Sequence, residues 1–171
     1  MASLKAFLPQ LAKVVDMTPD ALYSRQRALT NMGVLKSIEG RGPGSGVTLS
    51  GESVAVLIIA LMAADSLQDT DERVRRTCNA EAEEAGVKPL QPTLAAILLS
   101  AESVKKFQVL TINRNETATI LYREGQMTRF AKFNIRKTRG NRSVININAT
   151  MAAEPIRRIS KALLTTLGDP A

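Results

Sequence analysis

The residues of this chain that could do chemistry are cationic and hydrogen-bonding rather than catalytic. Tyr23, Ser24, Arg25, Gln26 and Arg27 are consecutive, just behind Thr18. Arg and Gln can each make paired hydrogen bonds to base edges in a DNA major groove. A glycine-rich stretch follows, in which Lys36, Arg41, Gly42 and Ser45 can meet phosphate, and Arg41 at its tip suits a minor groove. Between Glu124 and Glu154 come six cations and no acid: Arg129, Lys132, Arg136, Lys137, Arg139 and Arg142. The last four are expected to touch a DNA backbone.

Other chemistries are poorly supplied. With no histidine, the common His-based catalytic and metal sites are impossible. Cys78 is the single thiol, so an intramolecular disulfide framework and a cysteine-rich zinc site are both excluded. No carboxylate pair stands out for acid–base work, and Asp69, Asp71 and Glu72 read as helix-start acids. The glycine-rich stretch matches neither the dinucleotide fingerprint nor the Walker pattern. The expectation is therefore a protein that is not an enzyme, with no cofactor and no metal.

Composition agrees. The 171 residues are 44% apolar and 23% charged, with 4% aromatics and no Trp. The net charge is +7 and the isoelectric point near 9.9, a balance that favours a polyanionic partner. The N-terminus lacks the apolar run of a signal peptide. The most apolar stretch, residues 54–64, is about half the length a membrane span needs. A cytoplasmic protein without membrane contact is expected.

The elements that must position these residues can be read in order. Leu4, Leu8, Leu11 and Val15 share one face of a first helix, whose regular part is predicted to begin around Leu8 or Pro9. After a turn at Asp16-Met17, Thr18 can cap a second helix, with Pro19 at its first position and Asp20 near its positive end. Ala21, Leu22, Ala28, Leu29 and Met32 are predicted to face inward. Tyr23, Ser24, Gln26, Arg27, Thr30 and Asn31 fall mostly outward, with Arg25 near the boundary. Gly33 is placed for a left-handed cap. Residues 34–39 and 46–50 read as two short strands of a wing, and Gly51–Ala64 as a helix apolar nearly all round.

A charged helix over residues 71–85 and a short apolar helix over 93–104 follow. The pattern then alternates: strands are predicted at 107–112, 117–122, 127–133 and 143–149, before a closing helix over 154–167. The class is α+β. The division is an N-terminal helix-and-wing unit (1–65), a helical connector (66–104) and an antiparallel β-meander with its terminal helix (105–171), suited to dimerisation or partner binding.

Leu11-Ala-Lys and Thr18-Pro-Asp-Ala-Leu-Tyr, followed by Gly33-Val-Leu and a glycine-rich wing, resemble winged helix-turn-helix domains of the MerR/excisionase type, over roughly residues 8–60. The resemblance implies a second helix that enters the major groove, with Tyr23, Ser24, Gln26 and Arg27 facing it and Arg41 as the wing-tip contact. The chain departs from that pattern in a longer second helix and in a wing without an aromatic residue. The function expected is sequence-specific binding of double-stranded DNA by a homodimeric transcriptional regulator. Two alternatives remain beside it. One is a non-specific or single-stranded nucleic-acid binder that uses Phe130, Phe133 and the basic stretch. The other is an adaptor contacting RNA polymerase or another regulatory protein.

Overall fold

Helix formation begins earlier than the sequence pattern suggested. In the computed structural model, which describes residues 2–38, 46–64, 70–114, 116–135 and 147–168, helix α1 spans Leu4–Val15 and carries Pro9 inside it. Ser3 caps it, its hydroxyl accepting from the Ala6 N–H at 3.3 Å. The missing N–H of Pro9 costs one intrahelical bond. The burial of Leu4 and Phe7, both ahead of the proline, offsets that loss.

Helix α2 (Pro19–Asn31) follows a three-residue turn in which Asp16 adopts a left-handed φ of 53°, a region where Asp is better tolerated than most residues. Gly33 takes φ 68° as expected. Residues 34 and 35 are not strand: their N–H groups both donate back to the Leu29 carbonyl, at 2.9 and 3.1 Å. The two-strand region reduces, among the described residues, to one antiparallel bridge between Ile38 and Gly46, with a second joining Ser3 to Thr48.

Helix α3 (Gly51–Ala63) is the axis of the core. Ser50 and Ser53 cap each other reciprocally, at 2.9 and 3.1 Å. Burial extends around its whole circumference, from Val54 through Ala60 without a break. A side chain at Gly51 would meet Leu99 Cδ1 at 2.8 Å and the Ala95 carbonyl at 3.1 Å, so glycine permits the close approach of α5.

The charged helix is shorter than predicted. Helix α4 spans Thr70–Cys78, and Glu81–Ala82 form strand β1 instead of continuing it. Helical propensity loses here to sheet pairing: β1 is antiparallel to β4, and the Glu83 N–H extends the ladder to the Lys132 carbonyl at 2.8 Å. The next predicted helix is two, α5 (Leu90–Leu98) and α6 (Ala101–Lys106). Ser100 caps the second, its hydroxyl accepting from the Ser103 N–H at 3.1 Å.

Strands β2 (Phe107–Asn113), β3 (Thr117–Glu124) and β4 (Met127–Asn134) form the expected meander. The last strand, β5, spans Asn148–Ala152, running past its predicted end at 149, and leads directly into α7 (Ala153–Leu167); residues 143–146 of the predicted strand lie outside the described residues. The sheet order is β1-β4-β3-β2-β5, antiparallel throughout. Leu110, Ile112, Ala118, Ile120 and Phe133 point to the helices and are buried. The opposite face carries no fully buried residue among those described.

The architecture is therefore α+β, with seven helices and one five-stranded sheet among the described residues. One cluster of buried side chains runs from Leu4 to Leu163 through all three predicted segments, without a break at residues 65 or 104. None of the helices among the described residues is long and apolar enough to cross a membrane.

Candidate nucleic-acid interface

Helix α2 is held at both ends, at one by its own sequence and at the other by a distant residue. Thr18 Oγ1 accepts from the Ala21 N–H at 3.2 Å, so this residue caps the helix. At the other end no basic residue stands in the last turn. A tertiary cation takes that role, since Arg75 Nη2 donates to the Met32 carbonyl at 2.7 Å, where a helix carries partial negative charge.

The inward face differs from the one predicted. Leu22, Gln26 and Leu29 are buried, at i, i+4 and i+7, while Ala21 is exposed. The stripe is rotated because Leu22 and Leu29 alone fix its phase, and Gln26 lies between them. Gln26 is therefore corrected from a groove-facing residue to a core one, 6% exposed. Its Oε1 has no protein donor among the described residues, an arrangement that costs about 1–3 kcal/mol.

Arg25 is corrected in the same way. It is half-buried, and its Nη1 donates to the carbonyls of Ala60 at 3.3 Å and Ala64 at 3.0 Å. Arg114, 7% exposed, adds a bond from Nε to the Met62 carbonyl at 3.0 Å. Helix α3 has no basic residue in its last turn, and two guanidinium groups from elsewhere in the chain satisfy its C-terminal carbonyls.

Asp20, Ser24, Arg27 and Asn31 remain outside. All four are exposed, and they recur at i, i+4, i+7 and i+11 along one helical face. Tyr23 is half-buried beside this strip, with Lys5 Nζ of α1 lying 4.6 Å from its ring centroid, a cation–π distance. Asn31 is exposed, on the outward side expected from the sequence pattern. Sequence reasoning missed Lys5 beside α2, because its approach depends on how α1 packs.

Lys36 is exposed and lines a cleft of about 590 Å³ with Leu35, Ile38, Val47, Ser53 and Asn79. Of the other sequence-predicted contacts, Arg41, Gly42, Ser45, Arg136, Lys137, Arg139 and Arg142 lie outside the described residues.

On the sheet, the two phenylalanines three residues apart point to opposite faces. Phe133 is 0% exposed and Phe130 63%. Phe130 stands opposite Leu121, and Leu121 opposite Val109, on the open face. The neighbouring cations are engaged with acids: Lys132 Nζ lies 2.8 Å from Glu83 and Arg129 Nε 2.6 Å from Glu124. Lys132 shares the open face with Phe130, whereas Arg129, next to Phe130 in the strand, falls on the other; one exposed aromatic among the described residues makes a weak stacking platform for nucleic acid.

Comparison with protein-family models, with curated proteins and with solved structures finds no match.

Proposed function

We propose that this protein is a sequence-specific double-stranded DNA-binding transcriptional regulator of the cytoplasm. Its first 64 residues act as a winged helix-turn-helix of the MerR/excisionase type, and two copies address two half-sites. The observation that carries this reading is the strip of Ser24, Arg27 and Asn31, exposed along a helix whose two ends are fixed by Thr18 and Arg75. Arg pairs with guanine and Asn with adenine at major-groove edges. A rigid helix presents both at constant spacing. Lys36, at the base of the wing, serves the phosphate backbone. Catalysis, a cofactor and a metal have no part in this function.

The test is selection of bound duplexes from a random-sequence pool at two salt concentrations, followed by variants. Arg27→Ala should weaken binding to the selected site about tenfold or more, in line with ~1–3 kcal/mol per bidentate contact. Lys36→Ala should weaken all sequences alike and flatten the salt dependence. Gln26→Leu should bind as the parent does. Unchanged site affinity in Arg27→Ala would remove α2 as the reading helix. Absence of duplex binding at low salt would turn the same surface into a contact for RNA polymerase or another protein.

A further inference from the structure

The two edges of the sheet are built differently. At one edge β1 is two residues long, carries one charge at Glu81 and is followed by another at Glu83. Shortness and charge are the usual defences of an open edge. At the other edge β5 runs five residues, and no charge occurs from Ile147 through Ala153, in a chain of net charge +7.

The direction of the unused backbone groups follows from the register. The Arg114 N–H donates to the Ile147 carbonyl at 3.1 Å, and Ala149 and Met151 stand opposite Ile112 and Leu110. Antiparallel alternation then turns the peptide groups of Ala149 and Met151 toward β2 and those of Asn148 and Thr150 away from the sheet. Among the described residues these outward groups meet no backbone partner. Along the same edge runs a groove of about 490 Å³ whose apolar walls include Val14, Val15, Leu61 and Met62.

We propose that β5 pairs antiparallel with β5 of a second copy across a two-fold axis at Thr150, joining the two sheets into one. The strand is self-complementary. With Thr150 on the axis, Asn148 faces Ala152 of the second copy and Ala149 faces Met151, so no like charges oppose each other. Met151 of each copy lies on the helical side of the seam, against the apolar wall of the groove. A neutral strand suits an identical neutral strand, and the groove beside it adds one acid, Asp16, and one cation, Arg25, whose guanidinium is bonded to the Ala60 and Ala64 carbonyls. The pairing does not depend on DNA binding and is measured without DNA.

The experiment is sedimentation velocity on the full chain, with two variants. The parent should sediment at twice 18.5 kDa. Thr150→Pro removes an N–H that points away from β2, so the internal ladder survives; it should sediment at the single-chain mass with unchanged far-ultraviolet circular dichroism. Thr150→Cys should form a disulfide-linked dimer on mild oxidation. A hydrogen-bonded antiparallel pair separates its Cα atoms by ~5.5 Å, within disulfide reach, while buried Cys78 of the parent should form none. A parent that stays monomeric at every concentration overturns the proposal. A dimer without the Thr150→Cys cross-link also overturns it and assigns the contact to another surface.

Discussion

The ends of helices α2 and α3 dispose of positive charge in one way and the rest of the surface in the opposite way. At the helix ends, Arg25, Arg75 and Arg114 turn to main-chain carbonyls. Elsewhere, Lys132 and Arg129 of the sheet turn to the carboxylates of Glu83 and Glu124, as Arg76 and Lys106 of the helices do to Glu72 and Glu102. The first arrangement fixes elements relative to one another, because a carbonyl at a helix end has few other donors. The second neutralises charge in water, where an ion pair is worth little and salt screens it. A count of cations says nothing about which of them a nucleic acid can use.

Five substitutions break or sharpen that contrast. The largest effect belongs to the covered face of the sheet: Phe133→Ala should destabilise by about 3–5 kcal/mol in urea unfolding, and Phe130→Ala by less than about 0.5 kcal/mol. Next comes Arg114→Ala, which strips the Met62 carbonyl of its donor inside the core and should cost about 2–3 kcal/mol. Arg25→Ala should cost less, about 1–2 kcal/mol, because its site is half-buried. The comparison with Arg27→Ala is decisive, since that neighbour should change stability by less than about 0.5 kcal/mol while losing DNA affinity. Equal stability losses for Arg25 and Arg27 would refute the division between a structural and a reading arginine.

The smallest effect is set by pH. The hydrogen bond from Lys132 holds the Glu83 carboxyl below its ordinary value of 4.5, and Lys106 does the same for Glu102. Unfolding raises both values, so the unfolded chain binds these protons first as acid is added. Their stabilisation is complete above the ordinary carboxylate range and disappears as pH falls through the lowered values. Glu83→Gln should therefore shallow the acid limb of the stability curve, with a small loss of stability near pH 7 and none at low pH, where the parent carboxyl is itself protonated. A steeper acid limb would reverse the assignment.

Local features of the fold were legible in the sequence, and the reason is that each is decided within a few residues. Thr18, Pro19 and Gly33 marked the ends of α2, Ser50 opened α3, and alternation located β2, β3 and β4. What failed was decided by distant partners. The stop of α4 at Cys78 depends on β1 finding β4, fifty residues away. The extension of β5 to Ala152, past its predicted end at 149, depends on its register with β2.

The same division holds in the interface. The polar character of α2 could be read directly, whereas its rotation could not, because five apolar candidates allowed more than one phase. Arg25 and Gln26 were assigned to the groove for their side-chain chemistry. Tertiary packing assigned one to the end of α3 and the other to the core.

The all-round burial of α3 has a practical consequence for anyone who would dissect this protein. A fragment ending at residue 64 keeps α1, α2 and α3 but strips away α4, α5 and the sheet that cover the apolar flanks of α3. Such a piece would present a nearly continuous surface of Val, Leu and Ile to water and would aggregate rather than fold. The N-terminal segment is thus not a transplantable module, and fusions or truncations that aim to borrow it must carry the sheet along.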